Sequence, residues 1–404
     1  MGDPSRVRVT GPLAGFAEGF AGELARLGYK PNAAADQLRL MAHLSRWMDG
    51  EGLGAEALTP QVTEAFLEVR RAAGYVMWLS PKGLAPLLGY LRRLGVVPLP
   101  LPVPVTPAGA VLERYRRYLM AERGLAAVTA RCYGDLVRPF LAERESAAGP
   151  VPGQLMAAEV TAFVLAACPG RPAGTASLTV TALRSLLGFL HVEGLISEPL
   201  APYVPSVASW RLSGLPRGLE PGQVAALLAS CDQATVTGRR DFAMLTLLSR
   251  LGLRAGEVAA LRLEDIGWRA GEITVAGKGS RRERLPLPAD VGEAIAGYLR
   301  GGRPEPFEDA RQVFLRARAP HRGLTAAGVS QAVFAAGQRA GTGPVRAHRL
   351  RHSAATGMLR AGAPLTEIGQ VLRHRRLLST AIYAKADTEA LRALARPWPG
   401  GDAA

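Results

Sequence analysis

Cysteine is scarce in this chain. Only Cys132, Cys168 and Cys231 occur, far apart and without a CxxC pair. That excludes a disulfide framework and a zinc knuckle, and predicts three buried or half-buried thiols in a reducing compartment. Long apolar runs are missing as well. No stretch of about 18 uncharged apolar residues exists, so no membrane span is expected. Residues 1–10 lack the apolar core of an export signal, which points to a cytoplasmic protein. Acidic residues are the minority charge: 34 Asp and Glu stand against 49 Lys and Arg, a formal charge of +15. That excess fits a polyanionic partner, most simply nucleic acid. An Arg-, Ala-, Gly- and Pro-rich protein of a GC-rich genome would carry a similar excess.

With 404 residues, 48% of them hydrophobic, the chain can build two or three domains with real cores. Two proline-rich stretches divide it. From Pro98 to Pro107 prolines recur among apolar residues, cannot supply ladder or helix donors, and mark an extended connector. The second stretch runs from Pro199 to Pro221 and includes Pro202, Pro205, Pro216 and Gly218. Residues 1–104, 105–210 and 211–404 are therefore expected to be separate domains.

The first two segments look like copies. Leu84, Leu87, Leu88, Gly89, Tyr90, Leu91 and Gly95 align without a gap on Leu183, Leu186, Leu187, Gly188, Phe189, Leu190 and Gly194. Pro100 and Pro199 follow at the same offset. The leucine spacing predicts four or so amphipathic helices per copy. Two small helical domains in tandem suit a protein that wraps an elongated ligand.

The third segment differs. Residues 240–248 read as a mostly apolar helix that stops at Gly252, since glycine tolerates positive φ. A short helix over 255–261 follows, with Glu257 in its first turn. Residues 272–276 alternate like a strand, and 284–288 lie beyond Gly277-Lys278-Gly279-Ser280. Together they predict a β-hairpin with a basic tip. From Leu324 onward the pattern is helical, broken at 341–344 and 362–364.

The richest stretch begins at His348. On a helix His348, Arg351 and His352 fall at i, i+3 and i+4 and share one face; Leu372-Arg373-His374 and Tyr383 follow. Two histidines at i, i+4 can bind zinc. The carboxylate expected after the first is missing, however, and Arg351 would repel the dication, so no metal is expected. A solvated basic face with one packed histidine is the plain reading. The sharper one is chemistry on a phosphodiester, where cations hold negative charge while an oxygen nucleophile attacks.

Gly252-Leu253-Arg254-Ala255-Gly256-Glu257, Gly277-Lys278-Gly279, His348-x-Leu350-Arg351-His352, Leu372-Arg373-His374 and Tyr383 have the order and spacing of the tyrosine recombinase (phage integrase) family. The chain resembles that family over residues 240–385, and residues 105–205 resemble its helical core-binding domain. The resemblance implies a mainly α fold with a small β-sheet: two helical SAM-like core-binding domains followed by an α+β catalytic domain. It implies a site-specific DNA recombinase that works through a 3′-phosphotyrosine and a Holliday junction, with no cofactor. Tyr383 would be the nucleophile. Arg254 and Arg351 would clamp the non-bridging oxygens, and Lys278 would protonate the leaving 5′-oxygen. His348 would take the tyrosine proton or hold an oxygen, and His374 would bond the other oxygen. Glu257 would orient Arg254 or a histidine. His352 is expected to pack or brace its helix, outside the chemistry.

By the same resemblance the partner is double-stranded DNA, contacted by Arg281, Arg282, Arg284, Arg373 and Arg375. The protein is expected on the nucleoid, as a tetramer joined through a helix over 388–394. Accessory factors or a partner recombinase are compatible with this. Two departures stand out. Arg373 occupies a position where the family usually has glycine. The chain also opens with a second helical domain, in place of a small β-rich arm-binding domain, which predicts an additional DNA clamp or a protomer contact. A type IB topoisomerase would use the same constellation, and a non-catalytic DNA-binding partner would share the fold. The tandem helical domains argue against the first, and the intact residue set against the second.

Overall fold

The computed structural model describes residues 3–99, 106–145, 155–207, 218–277, 282–374, 380, 382 and 383. The chain forms two compact units, residues 1–99 together with 214–404, and residues 100–213.

The first part of the larger unit holds four α-helices: α1 (Ala17–Arg26), α2 (Pro31–Gly50), α3 (Pro60–Ala72) and α4 (Pro81–Arg93). Pro31, Pro60 and Pro81 open three of them, where a missing N–H costs nothing and the fixed φ suits the first turn. Their apolar faces meet in a core around Phe20, Met41, Leu44, Leu67 and Leu87.

Among its described residues the smaller unit also has four: α5 (Pro107–Ala121), α6 (Ala127–Ala142), α7 (Ala157–Ala167) and α8 (Ala173–Val192). Tyr115, Phe140, Leu183, Leu186 and Leu190 form its core. By length and composition α8 could cross a membrane, yet half of its apolar stretch is buried in the protein. The leucine match between the two segments has a packing cause. Leu84, Leu87, Leu88 and Leu91 on α4 are buried, as are Leu183, Leu186, Leu187 and Leu190 on α8. Each helix is followed by a left-handed glycine, Gly95 (φ 71°) or Gly194 (φ 68°). Of the three thiols, Cys231 is buried and Cys168 half-buried, but Cys132 is exposed, contrary to the sequence expectation. It sits on α6 at a position outside the buried stripe of Ala130, Gly134 and Val137.

The remainder of the larger unit contains α9 (Pro221–Ala229), α10 (Val236–Arg250), α11 (Ala255–Ala260), β1 (Ile266–Gly267), β2 (Glu272–Ala276), β3 (Arg282–Pro286), α12 (Ala289–Gly301), α13 (Ala326–Arg339), α14 (Ala347–Arg360) and α15 (Leu365–Val371). The strands form an antiparallel sheet in the order β1-β2-β3, with Ile273 opposite both Ile266 and Leu285. The expected hairpin is present, with its second strand starting two residues earlier than the alternation suggested. β1 adds a short third strand. Ile273 and Val275 turn into the core, which gathers Leu245, Leu248, Val258, Ile295, Val333 and Leu350 around α10. A satellite cluster of Ala355, Ile368, Leu372 and Tyr383 lies beside α14.

Gly252 joins these layers. Its φ is 58°, and a Cβ there would lie 2.6 Å from Leu372 Cδ2. Gly252→Ala is expected to cost about 1–2 kcal/mol from the left-handed backbone alone. A thermal melt should show a lower midpoint; an unchanged midpoint would mean that the turn relaxes without penalty.

Candidate active site

The turn after α10 delivers the first cation. Beyond Gly252 the chain enters α11, with Arg254 as its N-cap residue. Glu257 folds back on it: the Arg254 amide donates to Oε2 at 2.7 Å, and its Nη1 donates to Oε1 at 2.6 Å. Glu257 is buried, whereas the Arg254 side chain stays 43% exposed. The carboxylate thus orients a guanidinium that still faces solvent.

The end of α15 delivers the second element. The Arg373 amide donates to Gln370 O and the His374 amide to Gly369 O, both at 2.9 Å. This is the paired hydrogen-bond pattern of a Schellman terminus, whose left-handed residue is usually glycine. Here it is Arg373, at φ 56°. A side chain in that conformation costs about 1–2 kcal/mol. Arg373 was expected to contact DNA. Instead its side chain is 3% exposed, and its Nη2 donates to Glu257 Oε2 at 2.7 Å. Burial pushes the Glu257 carboxyl up, but the Arg254 amide and the Arg373 charge outweigh it and hold the group below its ordinary range.

Helix α14 carries the third. Leu350 anchors it in the core, and Arg351 is itself fully buried. Its Nη1 donates to Gly252 O at 2.5 Å and its Nη2 to Leu372 O. One guanidinium therefore ties α14 to the turn before α11 and to the end of α15. Five donors are available on the fork, so these two bonds do not exhaust it. Burial and the neighbouring Arg254 push the group down to about 10, which leaves it charged at neutral pH.

Tyr383 is buried beside these groups, with its hydroxyl 2.8 Å from His352 Nδ1. The His374 ring stacks on the tyrosine at 6.3 Å and 3°, and its Nδ1 lies 2.8 Å from Thr380 Oγ1. The His348 ring meets His352 edge-on at 4.4 Å. It is thus His352, expected only to pack, that reaches the hydroxyl, and not His348. Helical periodicity identified the shared face of His348, Arg351 and His352. It could not say which histidine the later tyrosine would meet. Burial raises the phenol above its ordinary value, with Arg351 opposing. Burial also lowers the histidines. His352 falls to about 4, helped by His348 and Arg351, and His374 falls to about 4, helped by Arg351 and Arg254. His348 is lowered for the same reasons, through burial, Arg351 and Arg254.

Arg254, Glu257, His348, Arg351, His352, Arg373, His374 and Tyr383 thus converge from α11, α14, the end of α15 and the segment beyond it. Arg282 and Arg284 are exposed on β3, the first paired with Asp265 and the second 3.8 Å from Glu272. Lys278, Arg281, Arg375 and the expected helix over 388–394 lie outside the described residues. A groove lined by Arg254, Ser330, Gln331, Phe334, Arg346 and His348 borders the site. Arg346 and Gln331 went unnoticed in the sequence because neither belongs to a recurrent motif.

The depressed histidines carry a stability consequence. Unfolded, His352 and His374 take protons below about 6.5; folded, they resist protonation down to about 4. Between those values the unfolded chain binds more protons, so stability is whole above 6.5 and falls as the pH drops toward 4. The melting midpoint should decline across that window, and His352→Gln should lessen the decline. A decline left unchanged by that substitution would place its cause elsewhere.

Several known proteins resemble this chain. Residues 217–390 match the model of the phage integrase family. The integrase/recombinase y4rA of Sinorhizobium fredii is 40% identical, over 96% of this chain and 95% of its own length. The tyrosine recombinase XerD of Listeria monocytogenes is 30% identical, over 68% of this chain and 93% of its own. In fold the chain is similar to a lambda integrase tetramer bound to a Holliday junction, with a TM-score of 0.52 at 16% identity, covering 66% of this chain and 77% of that one. With its helical modules, its small sheet and this likeness along nearly its whole length, the chain belongs to the phage integrase family and is a tyrosine recombinase, an enzyme of site-specific DNA recombination.

Proposed function

We propose that Tyr383 attacks a DNA phosphodiester within the site built by Arg254, Arg351 and the three histidines. The observation that carries this reading is the 2.8 Å contact between the Tyr383 hydroxyl and His352 Nδ1, beside a fully buried guanidinium. A phenol is a weak nucleophile at neutral pH and needs a proton acceptor. His352, neutral at that pH, supplies one. The Tyr383 Oη–P bond forms, the P–O5′ bond breaks, and the tyrosine proton passes to His352. The product is a 3′-phosphotyrosine and a 5′-hydroxyl, with Lys278 assigned to protonate the leaving oxygen. Arg254 and Arg351 balance the charge that builds on the non-bridging oxygens, where planar guanidiniums act best. Phosphotyrosine conserves the bond energy, so attack by a 5′-hydroxyl reverses the step and rejoins the strands.

Strand exchange then needs four such sites on two duplexes. We infer a tetramer on DNA, in keeping with the tetramer that lambda integrase forms on a Holliday junction. The exposed Arg282 and Arg284, together with the +15 charge, support binding along the phosphate backbone. The reading extends to a protein that acts on the nucleoid in the cytoplasm, on a mobile element or a chromosomal site.

A covalent-trap assay tests the chemistry. The probe is a nicked duplex carrying the sequence that the Tyr383→Phe protein retains from a random DNA library. Wild-type protein should yield a denaturation-resistant adduct, and Tyr383→Phe none; equal adduct from both would reject the mechanism. Arg351→Ala should slow adduct formation by about 10²–10³ through loss of a charge-assisted contact. His352→Ala should slow it by about 10², the lower end of a general-base contribution. Efficient relaxation of a supercoiled plasmid lacking the retained sequence would favour topoisomerase activity instead.

A further inference from the structure

Glu257 is one buried carboxylate with two guanidinium partners. Arg254 reaches Oε1 at 2.6 Å, and Arg373 reaches Oε2 at 2.7 Å. The two cations differ in setting. The Arg254 side chain is 43% exposed, whereas that of Arg373 is 3% exposed. Charges attract more strongly where water is excluded, so Arg373 is the stronger counter-ion of the carboxylate. Without it, Arg254 would be the one cation still hydrogen-bonded to Glu257 among the described residues, with Arg351 acting only through space. A guanidinium neutralised by a carboxylate has less charge to offer a phosphate, and is drawn back toward that carboxylate.

The backbone points the same way. Residue 373 is left-handed, and the turn it makes is closed by main-chain bonds from Arg373 to Gln370 and from His374 to Gly369. Glycine would build the same turn without strain. What the arginine adds over glycine is a bond from its Nη1 to Val371 O at 3.1 Å, within its own helix end, and a buried cation against Glu257. Among the described residues its Nε has no partner, so two hydrogen bonds and the charge of Glu257 hold the side chain.

We propose that Arg373 is a positioning residue that neutralises Glu257, so that Arg254 presents its guanidinium and its charge to the scissile phosphate. The proposal rests on the reading of Arg254 as a phosphate clamp given above. In effect the chain replaces a glycine-type turn with a cation that sets the strength of the neighbouring clamp.

The test uses the full-length protein and the nicked duplex described above in two forms, one with an ordinary scissile phosphate and one with an uncharged methylphosphonate there. Wild-type adduct is measured first; its absence on both would overturn the functional reading, and the proposal with it. Arg373→Gly keeps the turn and removes the cation. First-turnover adduct formation should then fall about 100-fold on the phosphate, the scale of a misplaced catalytic group. On the methylphosphonate, which has less charge to clamp, it should fall by less than about threefold. Arg373→Lys restores a cation without the planar fork and should recover part of the loss. Equal losses on both substrates would mean that Arg373 only supports the fold. Undiminished cleavage of the phosphate would mean that Glu257 does not need it. Either result overturns the proposal.

Discussion

Burying the Arg351 guanidinium takes a permanent charge out of water, and the protein must supply acceptors where it lies. It does so with the carbonyls of Gly252 and Leu372, which belong to the turn after α10 and the end of α15. Those segments carry Arg254 and Arg373-His374. Satisfying one buried cation thereby fixes three segments of the candidate site against each other. A buried charge whose partners are lost is among the more costly defects a fold can contain. The same bonds that hold the site together therefore penalise any rearrangement that would loosen it.

The second consequence is an imbalance of charge. Among the described residues, Arg254, Arg351 and Arg373 surround a single carboxylate, Glu257. The histidines beside them stay neutral, because a further proton would meet desolvation and the charge of Arg351, joined by Arg254 at His348 and His374. His352 is thus available as an acceptor for Tyr383 at neutral pH. The phenol is buried and raised, so the Tyr383–His352 hydrogen bond joins two neutral groups. On the proposed mechanism, nucleophile and acceptor are thus already in contact at 2.8 Å.

Much of this could be read from the sequence, because it depends on local rules. The α14 face follows from the i, i+3, i+4 spacing of His348, Arg351 and His352, and the turn at Gly252 from glycine's tolerance of positive φ. The four helices of each helical segment follow from leucine spacing. What was not legible depends on segments distant in the chain. Arg373 and Glu257 are far apart in sequence, and nothing local says that an arginine at a helix end will be buried on that carboxylate. The roles of His348 and His352 could not be divided between them, because Tyr383 approaches from a different segment. β1 is two residues long, too short for any alternation to show.

Substrate completes the electrostatics. On the mechanism proposed above, a phosphodiester entering between Arg254 and Arg351 brings the negative charge that the cluster lacks. Negative charge favours protonated imidazole, so the same event that places the electrophile strengthens His352 as a base. The resting site holds its nucleophile neutral and hidden, and its acceptor weak. The incoming phosphate eases only the second condition: its charge favours the imidazolium but disfavours the phenolate as well, and Arg254 and Arg351 have to offset that charge. On that mechanism the imidazole becomes a better acceptor only when a phosphate is bound, a consequence of placing several cations around one carboxylate.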